Sequence, residues 1–533
     1  MRSNFAWLVF LSGFFLCAPT SAQWQNIIID SGRNNGSYYY FLPPEEPCIA
    51  MDFKHPNNLV AGSNLINFYI STNGGYTWFR DSLHTALGNG GDPVTTVDTN
   101  GFFFYVHLGG SRDNGVVCQK LNNITTHVWT NGVYPGLADT PKFEDKPWVV
   151  ADRNNNALYL TWSLYDKFYT TNPADSTNIY FSKSVDAGST WSAPTRISKM
   201  WGDCSNESNS VEGAMPCAGP HSEIYVAWAH NDAILFNRSF DGGSTWLDSE
   251  IEVSNSPGGW YYNDIPGIFR SPGLPFIACD NSSGPFKGTV YVNWYDQRNG
   301  VNNTDIWVSK STDSGNTWSS AVKVNDDIGA AEQFMSSMTV DPVTGYIYVL
   351  FYDRRNYTDS TTDVYLAVSE DGAATFKNFK ISEAPFTPAR SNFFGDYTDI
   401  VAFNNIVRPI WYAQVQISPG LFDSKIITAI IDSSITGTPL IAHQDGCNLQ
   451  TYPNPFHEST QIAYDLGAAE AVSLFVTDIT GRTVALFRDN ELMSEGRHTE
   501  QYNAGNYNLA PGIYLLCLRS RDYCRTVKMV YKQ

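Results

Sequence analysis

Two short segments of the chain carry side chains suited to binding an anionic ligand. Residues 295–298 read Tyr-Asp-Gln-Arg and residues 352–355 read Tyr-Asp-Arg-Arg, and each segment directly follows an apolar run. The planar guanidinium group of arginine can make two parallel, charge-assisted hydrogen bonds to a carboxylate. With two arginines from elsewhere in the chain, the candidate set for gripping a carboxylate is Arg270, Arg298, Arg354 (or Arg355) and Arg390. The alternative is that each Asp–Arg pair braces neighbouring elements of the fold.

The elements that must position these arginines are built around a repeated turn with the pattern Ser-x-Asp-x-Gly-x-Thr-aromatic. Its five copies are residues 71–78, 184–191, 239–246, 311–318 and 369–376. The Asp side chain can accept hydrogen bonds from backbone N–H groups further along, the glycine allows a positive φ, and the aromatic residue can pack between neighbouring sheets. Asn73 replaces the Asp in the first copy, and Ala373 replaces the Gly in the last. Such regular recurrence predicts a repeat protein.

These turns are similar to the Asp-boxes of the sialidase-like β-propellers, and residues 23–432 resemble that superfamily. The interval between the first two copies is about twice the others, so we expect a blade with a degenerate turn, at residues 122–129, to lie between them. A last unit, closed by a strand near residues 24–29 from the start of the chain, completes the ring. The predicted fold class is all-β, a β-propeller of seven blades with six as the alternative, followed by a small C-terminal β-sandwich.

The two ends of the chain carry export features. Residues 1–22 read as a signal peptide, with Arg2 before a short apolar core and the small residues Thr20, Ser21 and Ala22 before the cleavage point. After a linker at 433–446, residues 447–533 form a final unit with three characteristic motifs, at 452–456, 474–484 and 509–516. This unit resembles the C-terminal sorting domain of type IX secretion cargo in the Bacteroidetes. The resemblance implies handling by the type IX machinery and release or surface attachment; the alternative is a generic carbohydrate-binding or immunoglobulin-like module.

Composition narrows the possible partners. The formal charge is −19 and no basic tract occurs, which disfavours nucleic-acid binding and leaves an extracellular glycan or glycoprotein as the expected partner. We expect no cofactor and no zinc site, because the cysteines lack metal-binding spacing, although a structural calcium ion is left open. Removal of the predicted signal peptide, which contains Cys17, leaves eight of the nine cysteines. In an exported protein an even number permits disulfides, and the favoured pair is Cys204 with Cys217.

Meander topology predicts where a ligand can bind. In a four-stranded blade, the turns between strands 1–2 and 3–4 lie at one end, and the 2–3 loops and interblade connections lie at the other. The Asp-boxes occupy 3–4 turns and mark the structural end, so we assign a structural role to Asp186, Asp241, Asp313 and Asp371. Any pocket is expected at the opposite end, where the four arginines lie. Aromatic residues 260–262 could stack on a sugar there, or form the core of their own loop.

The resemblance to sialidases also implies catalytic roles. Sialidases use three arginines on the sugar carboxylate, a Tyr nucleophile with a Glu partner, and an Asp as acid and base. The matching candidates here are Tyr397 as nucleophile, Glu332 (or Glu212) as its partner, and Asp145 or Asp353 (or Asp296) as proton donor. The segment at 41–47, where sialidases carry Arg-Ile-Pro, has no arginine and has two acids.

We therefore predict a secreted or surface propeller that binds a glycan or protein ligand without full sialidase catalysis. One alternative is an exo-acting glycoside hydrolase of sialidase type. Another is a glycosidase that acts on a neutral polysaccharide through paired carboxylates, whose spacing would decide between retention and inversion of configuration.

Overall fold

The computed structural model describes residues 24–34, 44–110, 115–137, 139, 141–261, 265–390, 393–418, 421–432, 449–466, 469–478, 482–507, 509–520 and 524–532. The chain divides into two compact units, Met1–Ile435 and Thr436–Gln533, which are described separately. The predicted signal peptide, residues 1–22, and the predicted linker, residues 433–446, lie outside the described residues. Among the described residues there is no helix of the length and apolar character needed to cross a bilayer.

The first unit consists of antiparallel strands in consecutive meanders. Its strands are β1 Asn26–Asn34, β2 Cys48–Met51, β3 Leu59–Ser63, β4 Asn67–Ser71, β5 Phe79–Ser82, β6 Gly91–Val97, β7 Phe103–Leu108, β8 Val116–Asn123, β9 Val128–Trp129, β10 Val133–Gly136, β11 Phe143–Ala151, β12 Leu158–Tyr165, β13 Thr177–Ser184, β14 Thr195–Arg196, β15 Glu212–Ala218, β16 Ile224–His230, β17 Ala233–Ser239, β18 Ile251–Asn255, β19 Phe276–Cys279, β20 Val290–Asp296, β21 Asp305–Ser311, β22 Val322–Lys323, β23 Gln333–Val340, β24 Ile347–Asp353, β25 Asp363–Ser369, β26 Lys377–Lys380, β27 Asp399–Phe403, β28 Ile406–Ser418 and β29 Leu421–Ala429.

These strands form seven sheets in the described part of the unit, and each sheet is one blade. Blade 1 is β2–β5, blade 2 β6–β10, blade 3 β11–β14, blade 4 β15–β18, blade 5 β19–β22 and blade 6 β23–β26. Blade 7 is β27–β29, and β1 pairs with β29 as its fourth strand. The second strands of the blades, such as β12, β20 and β24, are buried along their whole length because both faces of each sheet pack against other parts of the ring.

The first strands of the blades form a closed ring. β2 contacts β6, and the contacts continue through β11, β15, β19, β23 and β27 back to β2. The seven-bladed propeller predicted from the sequence is therefore confirmed, and the six-bladed alternative is wrong. Because β1 enters blade 7 from the start of the chain, the ring is closed by backbone hydrogen bonds between residues about 400 positions apart, such as Asn26 and Ala429.

Each Asp-box is held by its own side chains. In the fourth copy, Asp313 accepts hydrogen bonds from the backbone N–H of Thr317 (2.9 Å), the hydroxyl of Thr317 (2.6 Å) and the hydroxyl of Ser311 (2.7 Å). These bonds favour the charged carboxylate and lower the pKa of Asp313 to about 2. In blade 2, which lacks a complete Asp-box, Asn123 accepts from the N–H groups of Thr125 and Thr126 at 2.7 and 3.0 Å and folds an equivalent turn.

The Asp-boxes also join neighbouring blades. Lys183 in blade 3 donates to the carbonyl of Gly242 in the Asp-box of blade 4 (2.6 Å), and Lys310 in blade 5 makes the same bond to Gly372 in blade 6 (2.5 Å). The aromatic residue that ends two of the boxes packs back on the preceding blade: the rings of Trp246 and Phe181, and those of Trp318 and Phe236, meet edge-on with centroids 5.1 Å apart. The turns therefore stabilise the ring as well as their own hairpins.

The second unit is a small β-sandwich, as the sequence predicts. Its strands are β30 Gln450–Tyr452, β31 Ser459–Leu466, β32 Glu470–Asp478, β33 Thr483–Met493, β34 Gly496–Asn503, β35 Gly512–Ser520 and β36 Cys524–Tyr531. One sheet has the order β30-β31-β34 and the other β33-β32-β35-β36, and a 3₁₀ turn lies at Ala504–Tyr507. The two sheets are joined by one buried cluster that includes Phe456, Ile462, Leu474 and Leu516.

The predicted disulfide between Cys204 and Cys217 is not formed. Both residues are buried free thiols. Cys204 lies in the connection that enters blade 4, where its backbone bridges to Thr170, whereas Cys217 lies near the far end of β15. The prediction failed because a nearly complete strand separates the two residues along the blade, and proximity in sequence does not bring their side chains together.

Candidate functional site

Three consecutive blades begin with the same irregular backbone. Glu46, Asp92 and Lys146 have φ angles of 56°, 52° and 46°, and each precedes a proline. In β6 and β11 the pairing register shifts at this point, which marks a β-bulge. Bulges re-aim side chains, and here they direct charged groups from neighbouring blades to one place. That place lies at the entrance of the first strands, which is the end of the propeller opposite the Asp-boxes.

The amino group of Lys146 is surrounded by carboxylates from three other blades. Its Nζ lies 2.8 Å from Oδ2 of Asp396, 3.0 Å from Oδ2 of Asp92 and 3.6 Å from Oε1 of Glu46. On the other side of Asp396, Nε of Arg270 donates to Oδ1 at 3.0 Å. We call this group and its immediate electrostatic neighbours the charged hub; it comprises Glu46, Asp92, Asp145, Lys146, Glu212, Arg270 and Asp396.

The hub contains five carboxyl groups and two cations. Burial raises the pKa of Glu46 and of Asp145 well above the usual range. Burial is also the largest single effect on Asp92, but Lys146 together with hydrogen bonds from Glu46 and Asp145 outweighs it, and the pKa of Asp92 is lowered. The pKa of Lys146 is raised because its carboxylate partners outweigh its desolvation. Neighbouring carboxyls of the hub therefore differ in how readily they ionise.

The side of the hub next to blades 3 and 4 is aromatic. The hydroxyl of the buried Tyr165 donates to Oε2 of Glu212, and burial raises the pKa of Glu212 to about 7. In the loop after Tyr165, Tyr169 is 68% exposed, and Trp201 in the connection to blade 4 is 64% exposed. A backbone bridge between Thr170 and Cys204 ties these two segments together. We call Tyr169 and Trp201 the aromatic rim.

Four of the five predicted arginines, counting Arg355, are paired with carboxylates of the protein. Arg270 is paired with Asp396, and Arg298 is paired with Asp296 in its own blade and also donates to the carbonyl of Asn255 in blade 4 at 2.8 Å. The remaining three are Arg354, paired with Glu332 at 2.9 Å; Arg355, paired with Asp353 and Asp326; and Arg390, which is exposed in the connection to blade 7. These ion pairs fit the interpretation that the arginines brace the fold better than the interpretation that they bind one ligand together.

The predicted catalytic side chains divide into two groups. Tyr397 and Asp145 are at the hub: the Tyr397 hydroxyl donates to the carbonyl of Pro93 at 3.2 Å, and the Lys146 amine lies 5.9 Å from the centre of its ring. Burial and the nearby carboxylates raise the pKa of Tyr397. By contrast, Glu332 and Asp353 take part in the blade 6 ion pairs with Arg354 and Arg355.

Sequence reasoning did not single out Glu46, Asp92 or Lys146 as site residues. The signal that would have found them is a charged residue before proline at the start of three successive blades. In the aromatic segment at 260–262, Trp260 fits the interpretation that these residues form the core of their own loop. It is 2% exposed, and its Nε1 donates to the carbonyl of Ser210 at 3.1 Å. Tyr262 lies outside the described residues.

A cavity of about 310 Å³ opens at the other end of the axis. It is lined by the turns between the first and second strands of blades 2 to 6, among them Thr99, Arg153, Asn281 and Pro342. These turns share an end with the Asp-boxes, so this cavity lies where the sequence predicted only structural turns. In neither place do the described residues contain a cluster of three or more His, Cys, Asp or Glu side chains arranged to hold a metal ion.

Comparison with known proteins gives a family for the C-terminal unit. Residues 450–532 match the family described as secretion system C-terminal sorting domain, which confirms the resemblance inferred from the sequence. This domain indicates export by type IX secretion and a location outside the cell or on its surface. No curated protein matches the chain.

Several solved structures are similar to the propeller. A solved structure described as a Hadza microbial sialidase is 14% identical in sequence, with 69% of this chain and 73% of that chain covered and a TM-score of 0.40. The NanB sialidase from Streptococcus pneumoniae is 11% identical, with coverages of 77% and 70% and a TM-score of 0.38. An α-L-arabinofuranosidase from Fusarium graminearum is 10% identical, with coverages of 77% and 99% and a TM-score of 0.42.

Proposed function

We propose that the propeller binds a neutral glycan outside the cell, at the charged hub and aromatic rim, and that it does so without sialidase catalysis. The observation that carries this proposal is the composition of the hub, where five carboxyl groups face two cations. A sugar carboxylate entering there meets excess negative charge, and the arginines that would grip it are already paired with Asp396, Asp296 and Glu332. Sugar hydroxyls, by contrast, can donate to ionised carboxylates and accept from protonated ones.

The position of the rim supports a sugar ligand. Tyr169 and Trp201 are large, exposed and carried by segments tied to the loops around Glu212. An aromatic ring provides an apolar face for the C–H groups of a sugar, while neighbouring polar groups bind its hydroxyls. Asp145 is half-buried, in contrast to the nearly inaccessible Glu46 and Asp396, so it is the hub carboxyl that we assign to ligand contact.

The test uses the purified exported chain on an array of neutral and sialylated glycans, followed by titration calorimetry with the best neutral ligand. We expect Tyr169→Ala and Trp201→Ala each to weaken binding at least fivefold, about 1 kcal/mol. Asp145→Ala is expected to cost about 0.5–1.5 kcal/mol, the typical net value of one hydrogen bond. Phe240→Ala is the matched control, because Phe240 is an equally exposed aromatic residue (59%) at the Asp-box end. Preferential binding of sialylated glycans, or equal loss in Phe240→Ala, would refute the proposal.

The absence of sialidase activity is tested separately. We expect no release of a fluorescent aglycone from a sialoside by the wild-type chain. If release occurs and is abolished by Tyr397→Phe and Arg354→Ala, then the sialidase-type alternative is correct and Tyr397 is its nucleophile.

One observation favours a second candidate, hydrolysis of a neutral glycan. Asp145 has a raised pKa and Asp92 a lowered one, and an enzyme that needs an acid and a base at the same pH keeps two carboxyls in such opposite states. The measurement is release of nitrophenol from a panel of neutral nitrophenyl glycosides across pH 4–9. Turnover that disappears in Asp145→Asn, while glycan binding persists, would establish this function in place of binding alone.

A further inference from the structure

The cavity at the Asp-box end is built from the innermost turns of five blades. Thr99 comes from blade 2, Arg153 and Asn154 from blade 3, and Asn281 and Lys287 from blade 5, with small residues of blades 4 and 6 between them. Each turn joins the first and second strands of its blade, so the cavity lies at the mouth of the propeller axis. Its volume, about 310 Å³, is at the lower end of the range of small-molecule sites, roughly 300–1,000 Å³.

Arg153 differs from three arginines at the opposite end because it has no ion-pair partner among the described residues. Arg270, Arg298 and Arg354 are all in ion pairs, whereas Arg153 makes no side-chain hydrogen bond or ion pair with any described residue. The Cζ of its guanidinium lies over the ring of Phe53, 3.9 Å from the centroid. Burial lowers the pKa of Arg153 to about 10, against the opposing effect of Asp341. The polar edge of this guanidinium therefore has donors available to a ligand.

Lys287 and Asn281, which also line the cavity, each have a polar group without a partner among the described residues. Lys287 is exposed, and its amino group has no hydrogen bond or ion pair to the described residues. Asn281 donates its Nδ2 to the carbonyl of Ala218 at 3.0 Å, which fixes the amide orientation, while its buried Oδ1 receives no hydrogen bond. The cavity thus offers two cations for an anionic group.

Two acidic residues near the cavity already accept hydrogen bonds from the protein. Asp152 accepts from the backbone N–H of Asn154 (2.9 Å) and from the hydroxyl of Tyr159 (3.0 Å). Asp341 accepts from the backbone N–H groups of Val343 and Asn405, both at 2.8 Å. These carboxylates cap their own turns and do not contact Arg153, so they leave its hydrogen-bonding edge open.

We propose that this cavity is a second binding site, specific for an acidic sugar whose carboxylate or sulfate group is held by Arg153 and Lys287. A guanidinium suits both kinds of anion because each presents two oxygens to its planar edge. The cavity volume of about 310 Å³ leaves room for a sugar ring beside that group, and a simple inorganic anion would not fill it. The site is independent of the neutral-glycan site, because it lies at the other end of the axis.

The experiment is titration calorimetry of the full exported chain at low ionic strength with sodium glucuronate, glucose 6-sulfate, glucose and sodium sulfate. We expect one or both acidic sugars to bind, with sodium sulfate weaker and glucose undetectable. Arg153→Gln should weaken binding at least tenfold and Lys287→Gln several-fold. Lys377→Gln, which removes one positive charge from an exposed position on the outer strand of blade 6, is the matched control and should have no effect.

Several results would overturn the proposal. These are no binding of either acidic sugar by the wild type, equal binding of glucose, or undiminished binding by an Arg153→Gln variant whose melting temperature equals that of the wild type. Sulfate ion that binds as tightly as the sugars would overturn the sugar assignment. Because Lys287 is exposed, Lys287→Gln tests the site even if Arg153→Gln does not fold. Tyr169→Ala should leave acidic-sugar binding unchanged, so the experiments test this proposal and the proposed neutral-glycan site independently.

Discussion

Replacing Gly315 with alanine tests how the blades are joined. Gly315 is the glycine of the fourth Asp-box and has φ +83°. A Cβ built there would lie well inside van der Waals contact with Cε1 and Cζ of Phe236 on the preceding blade. Two costs follow: alanine in the left-handed region loses about 1–2 kcal/mol, and overpacking a well-filled core costs about 1–3 kcal/mol. We expect Gly315→Ala to reduce the free energy of unfolding of the propeller by about 2–5 kcal/mol.

One Asp-box of the chain already has alanine at the position of this glycine. In the last Asp-box the glycine position is occupied by Ala373, which has φ +62° and is buried. Three residues before the Ser of each box, blades 3 and 4 carry Phe181 and Phe236, but blade 5, which precedes Ala373, carries Val308. Val308 and Ala373 are both buried. At the equivalent positions of the repeat, a smaller side chain therefore accompanies the larger turn residue.

The measurement is urea unfolding followed by tryptophan fluorescence. Gly188→Ala is the control for backbone strain alone, because Gly188 has a similar φ of +77° but its Cβ would lie 3.3 Å from the nearest atom, Cε1 of Phe104. The double variant Phe236→Val/Gly315→Ala should recover about 1–3 kcal/mol relative to the sum of the single variants, since it removes the overlap. Equal losses for Gly188→Ala and Gly315→Ala, together with additive double-variant energies, would refute the reasoning.

Three further predictions concern charged groups. Lys146→Met leaves Asp92 and Asp396 without their shared cation, so we expect a loss of about 3–5 kcal/mol in urea unfolding; an unchanged stability would contradict the role of the hub. Asp313 has a pKa of about 2 in the folded chain, below its unfolded value, so its contribution is present above about pH 4 and is lost as the pH falls through 2; the melting temperatures of wild type and Asp313→Asn should converge at pH 2. Burial raises the pKa of Glu144 to about 8, so the folded chain binds more protons than the unfolded chain between about pH 4.5 and 8. The folded state therefore loses stability as the pH rises through that window. In Glu144→Gln the melting temperature should fall less over this range, and a fall equal to that of the wild type would contradict the prediction.

The propeller could be predicted from the sequence because its signal is local and repeated. Each Asp-box contains all the groups that fold its turn, as the bonds from Ser311 and Thr317 to Asp313 illustrate. The closing strand was also predictable, because a blade with three strands at the end of the chain requires a fourth, which β1 supplies. The C-terminal unit likewise carries its motifs within a short segment.

The charged hub could not be predicted in the same way. Glu46 and Asp396 are 350 positions apart in the chain, yet the backbone N–H of Asp396 donates to Oε1 of Glu46 at 3.1 Å. The arginines were chosen for their side-chain type, and the ion pair of Arg354 with Glu332 became visible only with the fold. The pairing of Cys204 with Cys217 failed for the same reason, since sequence separation is a poor guide to distance across a strand.

The repeated turn, the closure of the ring and the address for export could be inferred from the sequence alone, because these features depend on short-range hydrogen bonds and on contiguous motifs. The fold settled two further points: the blade count, which the sequence left between seven and six, and which charges meet. The positive-φ backbone at Glu46, Asp92 and Lys146, with β-bulges at the last two, brings these side chains together, and ring closure then brings Asp396 to the same amino group. Electrostatic energy depends on distance in space and on burial, and both are properties of the assembled ring.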